Sequence, residues 1–169
     1  MPKTVFLFRH GKSNWQADYS TDHERPVAPR GRKTARLMGR FLRHSGQIPD
    51  LVITSTAVRA RSTAELAAEA GEWPVALQIE PRLYGAQAST VLELIRAQPE
   101  SLQSVMLVGH EPTCSACVGF LSGGSNVRFP TAAMARIDFP VDSWEQIRPQ
   151  SGQLIWLLPP KALKRLADY

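Results

Sequence analysis

Apolar residues in this chain come as short unbroken runs separated by longer amphipathic stretches. Thr4 to Phe8 predicts a strand buried on both faces, since a half-exposed strand would alternate apolar with polar positions. Lys12 to Pro29, with Asp18, Asp22, His23, Glu24 and two prolines, predicts a long loop of the kind that usually has a function. After Pro29, Ala35, Met38, Phe41 and Leu42 recur at helical spacing up to a stop at Gly46. Asp50 to Ile53 predicts a second strand, Ser55 to Gly71 an alanine-rich helix, Val75 to Ile79 a third strand and Ser89 to Gln98 a helix. Ser104 to Val108 is the clearest buried strand, and a helix from Pro112 to Leu121 follows it. Met134 to Phe139 and Gln153 to Leu158 predict antiparallel or edge strands, and Lys161 to Ala167 a closing helix. Strands alternating with helices imply an α/β protein, a three-layer sandwich around a mostly parallel sheet. Neither a repeat nor a boundary interrupts the pattern, so residues 1–169 are expected to form one domain.

Composition changes this picture little. At 43% hydrophobic and 21% charged, the chain falls outside the disordered class. The apolar run near the start, Val5 to Phe8, is far shorter than the roughly 20 residues of a membrane span. A cytoplasmic protein with no membrane partner is expected. The net charge of +5 raises a nucleic-acid reading, but the basic residues are scattered and no nucleic-acid-binding pattern appears. No nucleic-acid partner is expected, although a positive field draws in anionic substrates. Cys114 and Cys117 form a C-x-x-C that reads as two small residues on one helix face, because a structural zinc site would need two more ligands.

Candidate chemistry collects where the strands end. Ligands of such sheets bind beyond the carboxyl ends of the strands. There stand Arg9 and His10 after the first strand, Thr54 to Arg59 after the second, and Gly109 and His110 after the buried fourth. One strand-end histidine is commonly a structural hydrogen-bonding residue, but two in one chain weaken that explanation. Arginine matches phosphate oxygens bidentately, and histidine can act near pH 7 as a neutral nucleophile or a charged donor. Together they suggest phosphoryl transfer to an imidazole nitrogen, with Gly11 allowing close approach of the backbone to phosphate. Arginines can neutralise the phosphoryl oxygens, so neither metal nor cofactor is called for.

Arg9, His10 and Gly11 spell RHG, and the chain continues with DHERPVAPRGRKTA from Asp22, STAVRARSTAELA from Ser55, PRLYGA from Pro81 and SVMLVGHEPT from Ser104. This series resembles the histidine phosphatase superfamily, which includes the phosphoglycerate mutases, and within it the short SixA-type phosphohistidine phosphatases. The resemblance implies a phosphoglycerate mutase-like fold and a phosphatase with no metal. His10 would be the nucleophile, Arg9 and Arg59 phosphate clamps, and His110 a donor to the phosphoryl oxygens. Arg59 is chosen over Arg61 because it falls four residues after Ser55. Arg61 reads as a surface or packing residue, and Ser13 and Asn14 either line the rim with Gly11 or are polar loop residues.

One departure bears on substrate. Where the mutases carry a glutamate that protonates the leaving oxygen, this chain has Gly85. An alkoxide leaves poorly without an acid, whereas the N–P bond of phosphohistidine is labile. The expected substrate is therefore phosphohistidine on a phosphorelay or phosphotransfer protein. Asp22, Glu24 and Glu111 are the alternative acids, and each also reads as a solvated loop charge. Only fifty residues separate Arg59 from His110, which leaves little for a capping insertion and favours an open pocket. A phosphatase for small phosphate esters and a phosphate-binding module without turnover are the competing readings.

Overall fold

The computed structural model describes residues 1–166. Six strands, β1 (Lys3–Arg9), β2 (Leu51–Thr54), β3 (Leu77–Ile79), β4 (Ser104–Gly109), β5 (Met134–Phe139) and β6 (Gln153–Leu158), form one sheet in the order β3-β2-β4-β1-β5-β6. β1 to β4 are mutually parallel, and β5 runs antiparallel to both β1 and β6. Five helices cover the sheet: α1 (Pro29–His44), α2 (Val58–Ala70), α3 (Ala88–Arg96), α4 (Thr113–Ser122) and the short α5 (Pro160–Lys164).

The unbroken run in β1 is explained by the two cores it feeds. Val5 and Leu7 pack with Val91, Ile95, Val118 and Leu121 of α3 and α4. Phe6 and Phe8 pack on the other face with Met38, Leu42, Ala60, Ala64 and Ala67 of α1 and α2. Alternate side chains thus enter alternate cores, so no position in the run can be polar.

Most departures from expectation lie at element ends. The second helix begins at Val58 rather than Ser55, because Ser55 Oγ accepts the N–H of Ala57 (3.2 Å) and holds this stretch as a turn. β3 shortens to Leu77–Ile79, where it pairs with only three residues of β2 at the sheet edge. The expected loop from Lys12 to Pro29 folds back through an isolated bridge between Ser13 and Val27 and contains a 3-10 turn, Asp22–Glu24. The closing helix is Pro160–Lys164, and Ala167 lies outside the described residues.

Candidate active site

Parallel register assembles the site. Arg9 of β1 pairs directly with Gly109 of β4, and Thr54 of β2 pairs with Val108 of β4. The residues that follow therefore emerge together: His10 N–H donates to Gly109 O and Ser55 N–H to Val108 O, each at 3.0 Å. His10 and His110 come to rest with ring centroids 5.4 Å apart. From β2 the chain turns into α2, whose first turn presents Arg59.

Both imidazoles are buried, and each has one nitrogen engaged. His10 Nδ1 lies 2.7 Å from the carbonyl of Gly11, which can only accept, so Nδ1 carries the proton and Nε2 keeps its lone pair. Burial, opposed by that hydrogen bond and reinforced by Arg59, Arg9 and Arg25, lowers the pKa of His10 to about 4. His110 Nε2 lies 2.9 Å from Ser55 Oγ. Burial, then the charges of Arg59 and His10, lower its pKa to about 3. Two neutral imidazoles follow at pH 7.

Three guanidiniums surround them. Arg9 donates through Nη1 to Phe129 O (2.9 Å). Arg59 donates to Asp22 twice, to its carbonyl (2.7 Å) and to Oδ2 (3.0 Å). Arg25 bonds the other oxygen of that carboxylate and lies under Trp15, its Cζ 3.6 Å from the ring centroid. Tyr84 OH also donates to Asp22 Oδ2 (2.6 Å). Yet Arg9 Nε, Arg25 Nε, Arg59 Nε, Ser13 Oγ and His110 Nδ1 are all buried without a partner, and all five residues line one cavity of about 220 Å³ with His10, Lys12, Trp15, Glu111 and Thr131. Buried polar groups are nearly always satisfied, so five such atoms, all in residues that line one cavity, point to a ligand rich in acceptors. A cationic bowl beside a free imidazole nitrogen is suited to hold a tetrahedral oxyanion and attack its centre.

The expected residues divide. His10, Arg9, Arg59, His110 and Ser13 converge on the cavity. Gly11 does not offer its backbone to a ligand: its N–H donates to Thr63 Oγ1 (2.9 Å) and its carbonyl holds His10. Its lack of a side chain serves packing, since a Cβ there would lie 2.6 Å from Gly31 O at the start of α1. Asn14 is a turn residue, its Oδ1 accepting from Gln16 N–H (3.0 Å). Asp22 is no proton donor. Its hydrogen bond from Tyr84, followed by those from Arg25 and Arg59, holds its carboxyl well below the usual carboxylate range. Glu24 accepts from Ser20 N–H (3.3 Å) and is not among the residues lining the cavity. Glu111 alone of the three possible acids lines it, with Oε1 accepting the N–H of Ser115 (2.7 Å). Arg61 is exposed and paired with Glu65 (2.8 Å).

Arg25, Trp15 and Thr131 line the cavity without having been singled out from the sequence. Arg25 had a signal, the Arg-Pro in DHERPVAPRGRKTA, but its partners Asp22 and Trp15 become neighbours only when the loop closes. Gly85 is exposed at φ +72°, where any side chain is strained. Cys114 and Cys117 are free and buried on α4; burial pushes the Cys117 thiol up to about 12 and raises Cys114 as well. Among the described residues no cluster of three His, Cys, Asp or Glu side chains is arranged to hold a metal ion.

A sequence model described as the histidine phosphatase superfamily (branch 1) matches residues 5–87. An uncharacterized protein of Mycobacterium tuberculosis is 35% identical over 163 residues, covering 90% of this chain and 99% of the relative. The SixA protein of Agrobacterium tumefaciens, assigned as a phosphohistidine phosphatase, superposes with a TM-score of 0.80 at 31% identity, over 95% of this chain and 99% of its own. The protein histidine phosphatase SixA in complex with tungstate gives 0.83 at 26% identity, with the same coverage of both chains. With that motif at the end of β1, this chain belongs to the histidine phosphatase superfamily, and its activity is of the histidine phosphatase type. Within the superfamily it is similar to the SixA proteins over nearly its whole length.

Proposed function

We propose that this protein dephosphorylates phosphohistidine on phosphorelay or phosphotransfer proteins in the cytoplasm, without a metal, through a phosphohistidine intermediate on His10. The observation that carries the reading is that five residues with an unpartnered buried polar atom line one cavity together with His10. In the first step Nε2 attacks phosphorus in line, the substrate N–P bond breaks, and its electron pair leaves with the substrate imidazole. In the second, water attacks the phosphorus on His10, and the histidine is restored as phosphate departs.

Electrostatic positioning supplies most of the stabilisation. Arg9, Arg25 and Arg59 line the cavity with Ser13, and their guanidiniums would hold the phosphoryl oxygens. Ser55 Oγ accepts from Ala57 N–H and lies 2.9 Å from His110 Nε2; in the proposed reaction it donates its hydrogen to that nitrogen, so that His110 carries its proton on Nδ1, the atom without a partner. Asp22 is a positioning residue that holds Arg25 and Arg59 at one spacing.

The leaving group selects the substrate. Asp22 is ionised, Glu24 does not line the cavity and position 85 has no side chain, so the one carboxyl left for an alkoxide is Glu111, whose Oε1 is already engaged by Ser115 N–H. The tungstate held by SixA, a tetrahedral oxyanion, supports a phosphoryl group as the part of the substrate that enters the cavity. Among the described residues no helix is long and apolar enough to cross a membrane. Hydrolysis of small phosphate esters is the second reading, favoured by Glu111 on the cavity wall. Phosphate release from a phosphohistidine-bearing protein and from a phosphoserine peptide separates the two. The proposal expects kcat/KM about a hundredfold or more higher for the N–P substrate, the usual worth of a missing general acid. Equal or faster turnover of the ester would overturn it.

A further inference from the structure

Lys12, which follows RHG, takes no part in the chemistry above, although it lines the phosphate cavity. It also lines a second, larger cavity of about 710 Å³ together with Arg30, Arg128, Lys161 and Lys164; Thr131 is the other residue common to both. These five cations are contributed by the RHG loop, the start of α1, the segment before β5, and α5. All five are exposed, and among the described residues none is paired with a carboxylate. Among the described residues that line this cavity there is no acidic side chain, and its apolar part is Pro130, Leu157, Pro159 and Pro160. Pro159 and Lys161 also line a third cavity, of about 340 Å³, together with Ala162 and Arg165.

We propose that this trough is the docking groove for an acidic polypeptide segment flanking the phosphorylated histidine of the substrate protein, with Lys12 as the hinge between phosphate pocket and groove. The inference rests on the protein-substrate reading above and adds the charge of the partner. Unpaired like charges repel one another, and a carboxylate-rich segment laid along them relieves that repulsion while phosphorus reaches His10. The spread of charge selects the occupant. The 710 Å³ cavity alone would suit a small polyanion, but its five cations come from four separate parts of the chain and Arg165 lines the neighbouring cavity, a spread that a segment with several carboxylates matches better. Proline and leucine surfaces between the cations give an extended backbone apolar contact as well.

The test separates docking from turnover. Two labelled peptides of equal length, one with a run of glutamates beside a central histidine and the other with glutamines, are bound to the intact protein and followed by fluorescence anisotropy. Binding about tenfold tighter for the glutamate peptide is expected, the sum of a few partly exposed ion pairs, and it should weaken with salt. Arg128→Glu with Lys161→Glu should erase the preference while leaving hydrolysis of phosphoramidate, which is too small to reach the groove, unchanged. The double glutamine variant should erase most of it. Equal binding of the two peptides, or a preference that survives both double variants, would overturn the proposal. Tighter binding of ADP than of the glutamate peptide, lost in the same variants, would also overturn it by assigning the groove to a small polyanion. Anisotropy needs no turnover, so failure to hydrolyse phosphoramidate would count against the proposed reaction and not against the groove.

Discussion

His10 and His110 stand at matching positions beyond adjacent parallel strands and are almost equally buried, at 6% and 7% exposure, yet they are wired in opposite senses. His10 is held through Nδ1 by a backbone carbonyl, which leaves Nε2 as a bare lone pair. His110 is held through Nε2 by a serine hydroxyl, which leaves Nδ1 without a partner. Burial neutralises both rings, and the partner atom decides which nitrogen is presented. Position in the sheet thus brings two histidines together, and the hydrogen bond of each ring separates the proposed nucleophile from the proposed donor.

Substitutions should pull the two apart in order of size. His10→Ala should lower kcat by about 10⁴-fold or more, as expected when a nucleophile is lost, and a stopped reaction assayed with phosphoramidate would measure it. His110→Ala and Arg59→Ala should each lower kcat by about 10²- to 10³-fold, the usual cost of losing one oxyanion donor. Ser55→Ala should cost about tenfold in kcat with little change in KM, because it frees the His110 ring and leaves His10 untouched. An effect of Ser55→Ala as large as that of His10→Ala would break the distinction between the two histidines.

Protonation adds a smaller test. Each histidine is neutral in the fold, with pKa lowered to about 4 for His10 and about 3 for His110, against about 6.5 in the unfolded chain. The unfolded state therefore binds protons first, and stability falls as pH drops from about 6.5 towards those values. Between pH 7 and pH 5 the two rings should together remove on the order of 4 kcal/mol. Urea midpoints should fall accordingly, and His10→Ala should flatten part of the dependence. A midpoint insensitive to pH over that range would contradict burial of neutral rings.

Much of this was readable in the chain, and the reasons are physical. Val5 to Phe8 and Val105 to Val108 announce strands covered on both faces because the two cores leave no place for polar residues. The histidines follow from where such strands end. Arg25 was not legible as part of the site, since its position depends on the bridge of Ser13 to Val27 and on a carboxylate shared with Arg59. Gly11 was legible as necessary but for another reason: it closes against Gly31 instead of admitting phosphate. Asp22 and Glu24 read as possible acids because a sequence does not show that three donors surround one carboxyl and a backbone N–H occupies the other. The basic groove was equally hidden, its five cations being spread from Lys12 to Lys164.

The central claim is that His10 Nε2 becomes phosphorylated during turnover. Rapid quench of the enzyme with phosphoramidate at high pH, followed by mass spectrometry of the intact chain and its peptides, reads this directly. One acid-labile phosphoryl group on His10, formed and lost at rates that match turnover and absent from His10→Ala, is the predicted result. Turnover by His10→Ala at the rate of the unaltered protein, or a phosphoryl group on a different residue, would contradict it.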